Sequence, residues 1–267
     1  MAHETHPAFA RLVEIMARLR SPGGCPWDRE QTPDSLTPYL LEETYEVLEA
    51  LEDRNWPEFK EELGDLLLQI VFHAQLMAES DRFSIDDVAQ AISDKLVRRH
   101  PHVFGDTQVK DAREVAQNWV KIKEQEKKGK ADQSVLAGVP KAAPALIQAQ
   151  RLGEKASRVG FDWTSAAAVF EKVREEVDEL AETLQAPDRS PDPDRQEHEL
   201  GDLLFVLTSL ARHLDLDAES ALRRASTRFG RRFRYIETQL ADNAEDIHTA
   251  PLERLEALWQ AAKQTLG

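Results

Sequence analysis

Apolar residues recur along almost the whole chain at intervals of three and four, and no stretch alternates cleanly with period two. That spacing predicts helices near 7–20, 36–53, 57–79, 84–99 and 111–128. A second set is predicted near 144–157, 165–185, 195–214, 217–241 and 249–265. Breakers fall between them: "SPGGCPWDREQTPDS", "RNWPE", "HPHVFGD", "QAPDRSPDPDR" and "NAEDIHTAP". Ser84 and Thr164 are placed to cap the helices that follow them. Gly129, Gly138, Pro140 and Pro144 mark residues 129–144 as a linker between domains at 1–128 and 145–267.

The two halves repeat each other. "LLEETYEVLEAL" corresponds to "KVREEVDELAETL", and "EELGDLLLQIVFHAQL" to "HELGDLLFVLTSLARHL". "ISDKLVRRH" then matches "ASTRFGRRF", and Trp119 with Lys123 matches Trp259 with Lys263. Matches in the same order, at a distance far beyond solenoid periods, predict an all-α chain of tandem duplicated helical-bundle domains. The "DLLLQIVFHA" helix is apolar enough to be expected buried from several sides.

Carboxylates interrupt this apolar pattern. Glu43 and Glu46 share one helix face, as do Glu62 and Asp65 on the next helix, and the short connection makes the two helices antiparallel neighbours. Glu42 lies four residues before Glu46. The acids border a seam of Leu40, Val47 and Leu51 on one helix and Leu63, Leu66 and Ile70 on the other. Two like charges near 4 Å repel by roughly 4 kcal/mol at an effective dielectric of 20, so such a set requires a cation. Ligands that are all oxygen favour a hard divalent ion, Mg²⁺ or in substitution Mn²⁺. Glu176, Glu179, Glu199 and Asp202 repeat the set, with Glu175 alongside, and Gly64 and Gly201 stand between the acids, where a neighbour or ligand has room to approach.

Charge narrows the partners. A formal net charge of −15 repels nucleic acid and anionic membranes. No apolar run is long enough to span a bilayer, and the N-terminal stretch lacks a secretory signal, so a cytoplasmic location is expected. Cys25 is the single cysteine, which leaves no disulfide and no thiolate cluster for zinc. Against the acidic background, Arg223, Arg224, Arg228, Arg231, Arg232 and Arg234 form a basic stripe suited to a small anion.

These motifs resemble the MazG-type nucleoside triphosphate pyrophosphohydrolases, across essentially the whole chain. The family signature, E-E-x-x-E followed by E-x-x-D, is present as Glu42, Glu43 and Glu46 with Glu62 and Asp65, and again as Glu175, Glu176 and Glu179 with Glu199 and Asp202. "GGCPWD", "RRHPHVFGD", "RVGFDW" and "RRFRYIE" are similar to strings of that family. The resemblance implies an all-α fold, Mg²⁺ dependence, homo-oligomerisation, and hydrolysis of (deoxy)nucleoside triphosphates to monophosphate and pyrophosphate. Ser93 and Ser226 depart from it, standing where family members often carry asparagine.

A triphosphate needs cations as well as a metal. Lys95 with Arg99, and Arg228 with Arg232, lie one turn apart and suit phosphate oxygens. Trp119 with Lys123, and Trp259 with Lys263, place an aromatic ring beside a cation, suited either to stacking a base or to plain packing. Trp27 and Asp28, and Arg158, Phe161 and Trp163, precede the carboxylate helices and are placed to close over a nucleotide. The expected catalytic set is Glu176, Glu179, Glu199, Asp202, Arg228 and Arg232, because the second half carries the richer arginine stripe. The expected nucleotide-binding set is Lys95, Arg99, Trp119, Lys123, Glu175, Arg228, Arg232, Trp259 and Lys263.

Two other readings compete. A di-iron bundle uses glutamates on facing helices but needs Glu-x-x-His, and here the fourth position is Asp65 or Asp202. His100 and His102 follow a helix and read as a turn rather than as ligands. A non-catalytic helical adaptor or nucleotide-binding regulator would use the same acidic helices for docking.

Overall fold

The computed structural model of the chain describes residues 7–127, 132, 134–184 and 192–267, without the side chains of Gln117, Lys123, Glu124 and Lys127. All regular elements among the described residues are helices, and none is long and apolar enough to cross a membrane. They fall into two compact units, divided between Glu126 and Lys127.

The first unit holds α1 (Pro7–Arg20), α2 (Pro26–Glu30), α3 (Thr37–Glu52), α4 (Trp56–Glu79), α5 (Ile85–Arg99), α6 (Pro101–Phe104) and α7 (Ala112–Lys127). Only residues 53–55 join α3 to α4. The turn is made by Arg54 in the left-handed region, φ 54°, with Asn55 N–H donating to the Ala50 carbonyl at 3.0 Å. Pro57 then sits where a helix start has no need of an N–H. The result is an antiparallel hairpin. α1 lies on α4, and together with Leu36 they form a core of Met16, Val71, Phe72 and Leu76. Ser84 caps α5 in a capping box with Asp87, whose carboxylate accepts from the Ser84 N–H at 2.8 Å.

The second unit holds α8 (Ala145–Ser157), α9 (Ala166–Leu184), α10 (Pro193–His213), α11 (Ala218–Asp242) and α12 (Leu252–Leu266). α9 pairs with α10, α11 pairs with α12, and α8 packs on α10 and α11. One core joins Val169, Val173 and Val206, and a second joins Ile236, Leu240 and Leu258.

Several expectations change. α2 and α6 are short helices inside stretches read as breakers, each opening on a proline that suits a first turn. The cap of α9 is Ser165 rather than Thr164, since the Ser165 hydroxyl accepts from the Ala168 N–H at 3.2 Å. The "DLLLQIVFHA" helix is not enclosed: Leu63, Leu67 and Ile70 are exposed, as are Leu200, Leu204 and Leu207 at the matching positions of α10. Only the far half of α4 meets α1 and a core. Of the linker, residues 129–131 and 133 lie outside the described residues, as do residues 185–191 of "QAPDRSPDPDR".

Candidate active site

The α3–α4 hairpin brings its acids together from opposite ends of its sequence. Glu43 of α3 and Glu62 and Asp65 of α4 each offer a carboxylate oxygen, all within 4.8 Å of one another. Glu46 stands beside them, and its charge adds to the crowding at Glu43. Partial burial, then the Asp65 charge, raises the Glu43 carboxyl above its ordinary range. Glu62 is raised by desolvation and then by Glu46 and Asp65. These are the marks of like charges crowded together. An all-oxygen donor set of this kind suits a hard divalent cation and leaves nothing for a softer one.

α9 and α10 repeat the arrangement with Glu176, Glu199 and Asp202, again within 4.8 Å. Glu176 is buried, and the Glu179 carboxyl is raised by desolvation and then by the Glu176 charge. Here, however, basic side chains attend the acids. Lys172 Nζ lies 2.7 Å from Glu175 and 2.9 Å from Glu176, and these two bonds push its pKa well above the usual lysine value. Arg195 Nε lies 3.6 Å from Glu199, and His198 Nε2 lies 3.3 Å from Asp202. None of the three was in the expected site, although the sequence carried a signal. Each stands four residues before its carboxylate, one helical turn away. The positions matching Lys172, Arg195 and His198 in the first half are Tyr39, Glu58 and Glu61. The repeated helix pairs therefore hold alike acids in unlike electrostatic settings.

The other expected residues occupy separate places. A Cβ added at Gly64 or Gly201 would meet nothing within 4 Å, so no other helix closes against either position. Lys95 and Arg228 are exposed. Arg99 is tied to Glu126 of α7 at 2.5 Å, which holds the Glu126 carboxyl down at about 2, and Trp119 Nε1 donates to the Arg99 carbonyl at 2.8 Å. In the second unit Arg232 lies over the Trp259 ring at 5.6 Å, while Trp259 packs against Phe229 at 5.2 Å. The ring therefore pairs with a cation of the preceding helix; Lys263 is exposed, and the Lys123 side chain lies outside the described residues. Ser93 and Ser226 bond back to carbonyls of their own helices, at 2.7 Å and 3.1 Å. Trp27 packs edge-on against Tyr39, and Asp28 offers its carbonyl to Arg20. Asp162 is gripped by Arg212 at 2.5 Å and His213 at 3.0 Å, and these bonds hold it far below the usual carboxylate range.

Two stretches of the chain, residues 31–104 and 164–236, match the MazG nucleotide pyrophosphohydrolase domain. The chain belongs to the MazG nucleotide pyrophosphohydrolase family. Each MazG match contains one complete carboxylate set, and both stop short of Trp119 and Trp259. Full-length relatives agree with that assignment. The chain is 46% identical over 255 residues to a nucleoside triphosphate pyrophosphohydrolase of Escherichia coli K12, covering 95% of this chain and 96% of that one. It is also 46% identical over 255 residues to a nucleoside triphosphate pyrophosphohydrolase/pyrophosphatase MazG of Thermotoga maritima, covering 96% and 95%. A nucleoside triphosphate pyrophosphohydrolase of Mycolicibacterium smegmatis is 35% identical over 266 residues, covering 95% of this chain and 70% of its own.

Proposed function

We propose that this chain hydrolyses nucleoside triphosphates at the α-phosphorus to a monophosphate and pyrophosphate, with Mg²⁺ or Mn²⁺ bound by the paired carboxylate helices. The observation that carries this reading is the recurrence of three convergent carboxylates in both family-matched segments. Glu43, Glu46, Glu62 and Asp65 would hold the ion in the first unit, and Glu176, Glu179, Glu199 and Asp202 in the second. Bound there, it would draw in the triphosphate oxygens and make the phosphorus a better electrophile. The chain's own cations do the rest. Lys172, fixed by Glu175 and Glu176, is a permanent positive charge beside the acids, and Arg228 and Arg232 extend the positive field for phosphate. Water attacks in line, one carboxylate of the set takes its proton, and pyrophosphate leaves.

The second unit is the better candidate for turnover, since only there do Lys172 and Arg195 face the acids. Glu176→Ala and Glu199→Ala are each expected to lower pyrophosphate release from a panel of nucleoside triphosphates by at least about 100-fold. Activity within a few-fold of the parent would remove these residues from the site, and a parent that releases no pyrophosphate at millimolar Mg²⁺ would favour an adaptor role.

A homo-oligomer belongs to the same proposal. Leu63, Leu67 and Ile70 on α4, and Leu200, Leu204 and Leu207 on α10, form matched exposed stripes at helical spacing. A second copy of the chain is the occupant proposed for them.

A further inference from the structure

The acids of the second unit meet only if α9 and α10 lie in one register, because Glu176 comes from one helix and Glu199 and Asp202 from the other. A slip of one turn carries a helix about 5.4 Å along its axis. That is farther than the 4.8 Å within which the three carboxylates gather. In the first unit the connection settles the matter. Residues 53–55 have the length of the short loops that join antiparallel helices in a few fixed conformations. The second unit has no such turn, since α9 runs to Leu184 and α10 starts at Pro193. Glu179 and Glu199 stand twenty positions apart in the sequence, whereas Glu46 and Glu62 stand sixteen apart, a difference of four residues. A longer connection tolerates several registers at little cost in closure entropy.

The apolar seam does not choose between them either. Val169 and Val173 of α9 are buried against Val206, and Val177 follows at the same spacing but is exposed. Sliding α9 by one turn would put a valine where a valine had been.

The two helices are tied at the end opposite the connection. Asp162 lies four residues before α9 and is gripped by the end of α10. Arg212 meets it with both terminal nitrogens, at 2.8 Å and 2.5 Å, and His213 Nε2 lies 3.0 Å from the same carboxylate. A two-pronged guanidinium contact fixes orientation as well as distance. The Trp163 N–H donates to Asp162 at 2.9 Å, and its ring packs against the valines. From this clamp the paths to the acids match. Ala166 to Glu176 is ten residues along α9, and Arg212 back to Asp202 is ten along α10. Each path is about 15 Å, so the clamp brings Glu176 level with Asp202. The first half carries Gln75 and Leu76 at the positions of Arg212 and His213. The basic pair thus stands in the half with the long connection and not in the half with the short one.

We propose that Asp162, held by Arg212 and His213, is a positioning residue that sets the register of α9 against α10 and so makes Glu176 converge with Glu199 and Asp202. Residues 53–55 do the same work in the first unit. The consequence for turnover rests on the reading of the second unit as hydrolytic; the register does not.

Pulsed electron paramagnetic resonance on the full chain reads the register without metal. Nitroxides are placed on Ala167→Cys and Glu197→Cys, both exposed positions, in a Cys25→Ser background diluted with unlabelled chain. The parent gives one narrow distance. Asp162→Asn keeps the shape of the side chain but not its charge, and it adds a second population displaced by about 5 Å at unchanged helix content. Exchanging residues 186–192 for the Asp-Arg-Asn of residues 53–55 restores the single distance in Asp162→Asn. If Asp162→Asn does not fold, His213→Gln, which removes one of the two grips, is read by the same criterion. A single parental distance in the folded variant, or a second population that survives the exchange, overturns the proposal. In a chain whose first acidic set is silenced by Glu43→Ala and Asp65→Ala, Asp162→Asn also weakens Mn²⁺ binding at least about threefold, and the exchange restores it. Unchanged Mn²⁺ affinity beside a split distance overturns the link from register to acids. A parent that binds no Mn²⁺ or releases no pyrophosphate counts against the hydrolysis reading alone.

Discussion

Lys172 shows how much one side chain changes a carboxylate site. Its ammonium contacts Glu175 and Glu176 at once, and partial exposure lets a phosphate displace water from it. It also competes with a metal for the same oxygens. Lys172→Met is therefore expected to bind Mn²⁺ about three- to tenfold more tightly at low salt when no nucleotide is present, and to bind a triphosphate more weakly. Calorimetric titration of each ligand checks both signs, and a loss of affinity for the free ion would show that Lys172 supports the ligands rather than opposing the charge. The acids were legible from sequence because their spacing recurred in an apolar context. Lys172, Arg195 and His198 carried a weaker signal, a basic residue four before an acid, which any solvated helix face can show. Arg212 was beyond reach, since its role depends on a turn that is distant in sequence.

At the scale of elements, the α3–α4 hairpin followed from its pattern, because a connection as short as residues 53–55 allows little else. The capping residue of α9 did not, since Thr164 and Ser165 offer the same chemistry one position apart and only the turn geometry chooses between them. Burial of α4 was overread for a related reason. Apolar periodicity says that a face needs covering, not that the same chain covers it. The tie between α5 and α7 is an element-level feature that spacing could not reveal. It depends on Glu126, whose folded pKa of about 2 lies below its ordinary value of 4.5. A lowered carboxyl adds stability above its unfolded pKa and loses it as pH falls through the folded one. The parent is thus expected to melt above Glu126→Gln at neutral pH, with the gap closing between about pH 4.5 and pH 2. Thermal melts of the two proteins across that range provide the check, and a gap independent of pH would refute the ion-pair account.

For the whole molecule, the outstanding feature is apolar surface repeated in register. Leu67 and Leu204 occupy matching positions on α4 and α10 and are exposed to similar degrees, 36% and 47%. Chance exposure would not be expected to track the duplication, whereas a shared mode of assembly would. Leu204→Glu is expected to shift the chain toward monomer in sedimentation velocity while helix content is unchanged, and a parent already monomeric at micromolar concentration would end the oligomer proposal. The copies have also diverged where the second has Lys172, Arg195 and His198 and the first, at matching positions, has Tyr39, Glu58 and Glu61. On the proposed function, the first half would hold bare cations and repel polyanions, while the second would take up a polyanion together with its cation. Two copies of one pattern would then differ in task through charge alone, and removing the ammonium of Lys172 would carry the second copy part of the way back toward the first.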